Sequence, residues 1–521
     1  MISCDVLEKP HAWRSVTVIA ILAAAFAPAL PLLWEVVSEG SSQSALDASF
    51  WAASFRSVAV ATVVVAAALV LGVPTGVLAG LYDFPGRRPL LALLAIPLVI
   101  PSFLWAIGLS QFRIHVGLSS DGILSGFTGT VLAFLCWAIS LVIYMTLVSA
   151  RRLSKSQIEA ARICGGERLV FSCATQALLP AAILAAALAG ILTLADPGPG
   201  QILGYPGVAY EILLSFSASY DFALAAKQCA GLTGLVLILS IPVAVFIAPN
   251  VAVGLLGRDI VSVPLAKDNI CAWAASLLLT FNVILAVILP LTGIVRPLFT
   301  GFPAERALQE VGRTVLNTFV YGLTAGVLAA VLGTILAIAV GREKTLRGSV
   351  VVAMFVILSL PPSLSALGIV KMGTLAPAWL DPVLRGRFTV GLASALKFLP
   401  VAAVLAMRSF GSTSPSQCLV AAIHGISVWR YVARILGPAI LPSAGIACVV
   451  IALLATAEVG TALLLRPPGA DSIPVQIFTV MANAPEALVA ALCFMYVAGT
   501  AVLLMLGWSM TLEFRRHGRR I

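Results

Sequence analysis

Ser154-Lys155-Ser156-Gln157-Ile158-Glu159-Ala160-Ala161-Arg162-Ile163-Cys164-Gly165-Gly166 returns later in the chain as Ser416-Gln417-Cys418-Leu419-Val420-Ala421-Ala422-Ile423-His424-Gly425, with Gly425 lying 260 residues after Gly165. The correspondence continues downstream, where Leu179-Pro180 and Ala195-Asp196-x-Gly198 reappear 262 residues on as Leu441-Pro442 and Ala457-Glu458-x-Gly460. Upstream, Gly72 and Gly80 map onto Gly333 and Gly341 at 261, and Pro101, Ala106 and Gly108 onto Pro361, Ala366 and Gly368 at 260. The second copy therefore carries two extra residues between its glycine and its Leu-Pro pair. Two homologous halves, 1–255 and 256–521, are the simplest account of such a repeat.

Hydrophobic residues make up 60% of the chain and charged ones 10%, and the mean hydropathy is +1.06. Ordinary globular chains are roughly 45–50% apolar and about 25% charged. The apolar runs reach the ~20 residues that a membrane-crossing helix needs, and they lack the ~10-residue alternation of a membrane β-barrel. The fold class is therefore all-α, a polytopic membrane helix bundle. Six spans are expected in the first half, near 17–36, 56–81, 89–112, 128–150, 176–196 and 229–249. Six more are expected in the second, near 272–292, 314–340, 348–371, 388–407, 439–464 and 487–511, making twelve.

Basic residues are retained on the cytoplasmic side of a membrane. With both termini cytoplasmic, Arg87, Arg88, Arg151, Arg152, Lys155, Arg162 and Arg168 lie inside, as do Arg342, Lys344, Arg347 and the tail arginines 515, 516, 519 and 520. The second half is less one-sided, because Arg296, Arg306, Arg313, Arg385 and Arg387 then face outward. The net charge of +10 is explained by topology and anionic lipid rather than by nucleic acid. The first apolar run follows Lys9 and Arg14 and contains Ala27-Pro28-Ala29, which allows a cleaved signal peptide. Retention as the first span keeps the number of spans even. The nine cysteines form no Cys-x-x-Cys and have no histidine at ligand spacing, so they read as small apolar residues.

Ser156 and Glu159 have capping-box spacing, which predicts a short helix starting there. Gly165 and Gly166 allow the backbone angles that stop it and turn the chain into a second helix. These residues resemble the EAA loop of ABC importer permeases, in which Glu-Ala-Ala, a glycine and a later Leu-Pro form the helix that docks on an ATP-hydrolysing subunit. The resemblance gives Glu159, Ala160, Ala161 and Gly165 this coupling role in the first copy, and Leu419, Ala421 and Gly425 in the second. Leu419 and Val420 stand where the second copy should carry Glu and Ala, so apolar docking replaces a charged contact there. The family resemblance implies the type I importer permease fold, with two ATP-binding-cassette subunits and an extracytoplasmic solute-binding protein as partners. It places the chain in a bacterial inner membrane, with ATP and Mg bound on the partner subunits and no cofactor on this chain.

Asp83-Phe84-Pro85-Gly86-Arg87-Arg88, Leu194-Ala195-Asp196-Pro197-Gly198, Ile202-Leu203-Gly204-Tyr205-Pro206-Gly207 and Leu465-Arg466-Pro467-Pro468-Gly469 resemble the fused permeases of ferric-iron-type importers. Related fused permeases serve thiamine. Ferric iron is the solute that the resemblance favours, with thiamine, polyamine and phosphonate left open.

Asp196 and Glu458 each follow a Leu-Pro pair by 16 residues, about 24 Å at 1.5 Å per residue, which places both toward the outer end of their helices. They line an outer vestibule, or they accept backbone hydrogen bonds at a glycine-broken helix end. Lys397 falls near the middle of its span and needs a partner or a route to water, and Glu458 is a candidate partner. Pro101 and Pro361 are expected to kink their spans and free a carbonyl in each. No Gly-x-x-x-x-Gly-Lys-Ser/Thr phosphate loop occurs and no Ser-His-acid grouping is present, so the chain reads as a permease component and not an enzyme. An ion-coupled secondary transporter using Asp196, Lys397 and Glu458, and a non-transporting membrane scaffold, are the alternatives.

Overall fold

Backbone groups in a hydrocarbon layer must bond within their own segment, and this chain meets that demand with helices throughout. A computed structural model describes residues 12–38, 46–119, 122–219, 221–250 and 270–518, among which no extended strand occurs. Nine of the described helices are long and apolar enough to cross a membrane, and eleven spans result if two sharply bent pairs are each counted once. Lys9 and the boundary at 255/256 lie outside the described residues.

The first expected span, 17–36, is two short helices, α1 (Ala12–Phe26) and α2 (Ala29–Ser38), parted at Ala27-Pro28. Pro28 has no N–H to continue the ladder. Next come α3 (Ala48–Leu81), α4 (Arg87–Ala95), α5 (Ser102–Val116), α6 (Gly126–Ala150) and α7 (Lys155–Leu194). After these come α8 (Gly198–Ile202), α9 (Val208–Ser217) and α10 (Phe222–Phe246). Beyond residue 270 lie α11 (Ile270–Val283), continued through a π-helical turn into α12 (Leu289–Val295), then α13 (Ala304–Val340), α14 (Lys344–Ser359) and α15 (Pro362–Leu375). The order closes with α16 (Phe388–Ser412), α17 (Pro415–Ile423), α18 (Gly437–Ala457), α19 (Val459–Leu465), α20 (Ile473–Val480) and α21 (Glu486–Gly518).

Pro101 and Pro361 do more than kink. The helix pair Arg87–Leu98 and Ser102–Val116 is bent by 105°, and Thr345–Ser359 and Pro362–Leu375 by 85°. Pro101 (φ −54°, ψ 138°) and Pro361 (φ −60°, ψ 140°) hold the same extended conformation at the break. Proline fixes φ and biases its predecessor away from the helical region, which is why one residue ends a helix and starts the next.

Glycines set the closest helix contacts. A Cβ on Gly72, Gly76 or Gly80 would come within 2.8, 2.7 or 2.6 Å of Val142, Thr146 or Ala150, so α3 and α6 touch nearly backbone to backbone. Gly333 meets Ala402 at 2.6 Å in the same way, joining α13 to α16. α7 completes the first trio and α18 the second. The opening helices then cross over. α1 lies on α13 and α11 on α3, while α2 packs on α15 and α12 on α5. At the last two crossings Gly368 sits against the Pro28 carbonyl and Gly108 against the Pro290 carbonyl, with no room for a side chain.

Candidate functional site

Each duplicated short segment precedes the helical stretch that leads to one of the paired acids, α7 to Asp196 and α18 to Glu458. The first is the opening of α7, whose helical angles break at Gly165 (φ −153°) and Gly166 (φ 64°, ψ −161°), the expected corner. The second is α17, which turns at Gly425 with φ 64°. The left-handed residue shifts by one between copies because Ile426 stands where Gly166 would, and a β-branched side chain resists positive φ. The two extra residues of the second copy fall in a stretch that includes the π-helical turn Val432–Leu436, the usual way a helix takes in an added residue.

The capping box does not form. Ser154 is the N-cap, its hydroxyl 2.7 Å from that of Ser156, and Glu159 pairs with Lys155 at 3.5 Å. The segment is held instead from the other side of the corner. Tyr82, at the end of α3, donates to Glu167, and Arg162 donates to the second carboxylate oxygen of Glu167 at 2.8 Å. Burial, then the bond to Glu167, raises the Tyr82 phenol above its ordinary range and keeps it a donor at neutral pH. In the second copy the tie is different. Arg342, at the end of α13, donates to the Thr413 carbonyl at 2.5 Å, just before α17.

Both segments bury Ala161 and Ala421 and expose the other face. Ile163 is 86% exposed and Ile423 81%, while Leu419 and Val420 are about half exposed. Glu159 and Ala160 occupy the matching exposed positions, and Gly165 and Gly425 are exposed at the corners. Cys164 and Cys173 are exposed too, contrary to a uniform role as buried apolar residues, whereas Cys136, Cys229, Cys418 and Cys493 are buried.

A cavity of about 170 Å³ lies between the two helix trios, and Asp196, Lys397, Glu458 and Pro101 line it together. Pro361 is not on its wall, but its neighbour Pro362 is. Asp196 follows the end of α7, accepting from the Gly198 amide at 2.9 Å and from the Ser102 hydroxyl. Glu458 caps α19, accepting from the Thr461 amide at 3.1 Å and from the Thr461 hydroxyl. Lys397, 8% exposed, extends from α16 to Glu458 with Nζ 3.6 Å from Oε1. Both acids thus line a cavity and cap a helix end at once; the two expectations are not exclusive.

Ser102 and Trp137, which line the same cavity, were not legible as site residues by type. They stand 260 residues before Pro362 and Lys397, so the repeat offset itself was the available signal. Toward the starts of α3 and α13, Ser57 accepts from the Val208 amide at 3.0 Å and Thr318 from the Ile473 amide at 2.9 Å. Beside them Arg56 donates to the Pro206 carbonyl at 2.9 Å, and Asn317 to the Asp471 carbonyl at 3.1 Å.

Comparison of the chain with family models, curated proteins and solved structures returns no match.

Proposed function

We propose that this chain is the membrane permease subunit of an ATP-binding-cassette importer, built from two homologous six-span halves. In this reading it accepts a small solute from an extracytoplasmic binding protein and is driven by ATP hydrolysis on two separate subunits. The observation that carries the reading is the pair of short helices, alike in burial pattern, each ending at a left-handed glycine and presenting an exposed apolar face. Such faces mark sites of association. The recurrence of contacts at the repeat offset supports the two halves, and the cavity between the helix trios supports a solute path. Counting α1 with α2, and each bent pair, as one span brings the total to twelve. The chain then lies in a bacterial inner membrane with both termini cytoplasmic.

Closure of the ATPase pair would draw the two short helices together and open the bundle at the opposite end. The solute shifts that equilibrium only by binding the two states unequally. The test is purification from native membranes followed by Mg-ATP hydrolysis in nanodiscs. An ATPase activity that co-purifies with the chain, and is lost from the preparation when Ile163 and Ile423 are both changed to Asp, is expected; a chain that purifies without nucleotide-binding subunits would overturn the reading. Ferric ion is the solute to assay first in uptake. The Lys397–Glu458 pair favours one second reading, an ion-coupled transporter, which predicts uptake into ATP-free vesicles under an imposed ion gradient.

A further inference from the structure

Two complementary vacancies face one cavity. The Lys397 ammonium has three N–H donors, yet among the described residues its neighbours are Glu458 at 3.6 Å and the Phe398 ring at 5.5 Å. Neither is within hydrogen-bond length of a fully spent ammonium. Lys397 is 8% exposed and lies on the cavity wall, so what solvent its donors meet is inside the cavity. Asp196 has the opposite lack. Its donors are the neutral Ser102 hydroxyl and Gly198 amide, and among the described residues no cation lies within 4 Å of it, although the Lys397 charge acts on it from farther off. Glu458 is the better satisfied acid, with Thr461 and Lys397 both on it.

A buried polar group costs free energy until it is paired, and a buried charge costs more. A lone cation entering the cavity would satisfy Asp196 and leave the lysine donors unspent. A lone anion would meet Lys397 but add a third negative charge. A bare metal ion of hard character seeks about six oxygen ligands, and here one of the two carboxylates already holds an ammonium. The remaining chemistry is a molecule that carries both charges.

We infer that the cavity binds a small zwitterion, its cationic nitrogen against Asp196 and its oxyanion against the free N–H groups of Lys397. Trp137, Phe103 and Phe478 are on the wall, and aromatic residues suit a cationic end. A cavity of about 150 Å³ holds one benzene, so 170 Å³ accommodates a molecule of about that size. The inference rests on the permease reading above but puts a zwitterion in place of ferric ion as its solute, and the site can be tested without any ATPase.

The experiment is calorimetric titration of the full chain in lipid nanodiscs with γ-aminobutyrate, 2-aminoethylphosphonate, butylammonium, butyrate and ferric citrate. The two zwitterions distinguish a carboxylate from a phosphonate as the oxyanion. At least one zwitterion is expected to bind about tenfold or more tightly than butylammonium or butyrate. Lys397→Met should abolish the preference over butylammonium, Asp196→Asn the preference over butyrate, and Lys397→Arg should preserve both. The wild-type ranking stands as a test even if a variant fails to fold. Equal binding of butylammonium and the zwitterions, competition by ferric citrate alone, or no binding of any probe up to about 10 mM would overturn the inference. A wild-type chain that co-purifies with no ATPase, its zwitterion ranking intact, would sink the permease reading and leave the site standing.

Discussion

Asp196 and Glu458 occupy matching positions and are satisfied by different neighbours. Ser102 donates to Asp196, whereas Pro362, at the equivalent place, has no proton to give, and Glu458 turns to Thr461 and Lys397. Removing a donor from a buried acceptor costs about 1–3 kcal/mol. Ser102→Ala should therefore lower the thermal unfolding midpoint, and Ser363→Ala, which leaves Asp196 untouched, should do so less. Gly166 makes the same kind of demand on the backbone. Its φ of 64° and ψ of −161° fall where essentially only glycine goes, at a cost of about 1–3 kcal/mol to other residues, so Gly166→Ala should destabilise by that amount, read by chemical denaturation in detergent. Gly165→Ala tests a different cause, because there a Cβ meets the Leu169 side chain at 2.8 Å.

At the scale of the element, the short helices share a burial pattern but not a charge. Glu159 is exposed and paired only with the exposed Lys155, so its worth to folding is small. Glu159→Ala and Leu419→Ala should each change stability by less than about 0.5 kcal/mol, as substitutions on exposed faces do. Their effect on coupling should differ. Under the permease reading, Glu159→Ala should reduce transport-linked ATP turnover more than Leu419→Ala, and equal rates in the two variants would show the sequence difference to be without consequence. The corner ties differ as well. Tyr82→Phe should loosen the first segment by removing the donor to Glu167, while leaving the Arg342–Thr413 tie and the second segment intact, as read by hydrogen exchange.

Across the whole molecule, the opening helices lie on the opposite helix trio, so neither half buries its own surfaces alone. Gly108 and Gly368 are the contact points, each pressed on a proline carbonyl. Gly368→Leu should cost at least the ~1–3 kcal/mol of an overpacked core and uncouple α2 from α15. Residues 1–255 and 256–521 produced as separate chains should assemble when co-expressed and aggregate when either is produced alone. Two halves that purify singly as monodisperse proteins would contradict the crossed packing.

The legible part was whatever depends on local composition. Apolar runs specify membrane helices because an unpaired backbone is intolerable in lipid, and Gly166 and Gly425 announce corners because few other residues adopt a positive φ. The repeat offset carries further, since sequence position alone aligns Asp196 with Glu458 and Pro101 with Pro361. It could not separate a kink from a full break at those prolines, because bend depends on what the next helix packs against. Nor could Ser156 and Glu159 reveal that Ser154 is the N-cap and that Glu159 pairs with Lys155 instead. Nine long helices among the described residues stand where twelve spans are expected, because Pro28, Pro101 and Pro361 each divide one span into two helices. Sequence alone determined a helical membrane protein written twice. Only the tertiary structure decided that the opening helices cross over and that Lys397, Glu458 and Asp196 share a cavity, because contacts between residues hundreds of positions apart are set by packing and not by spacing.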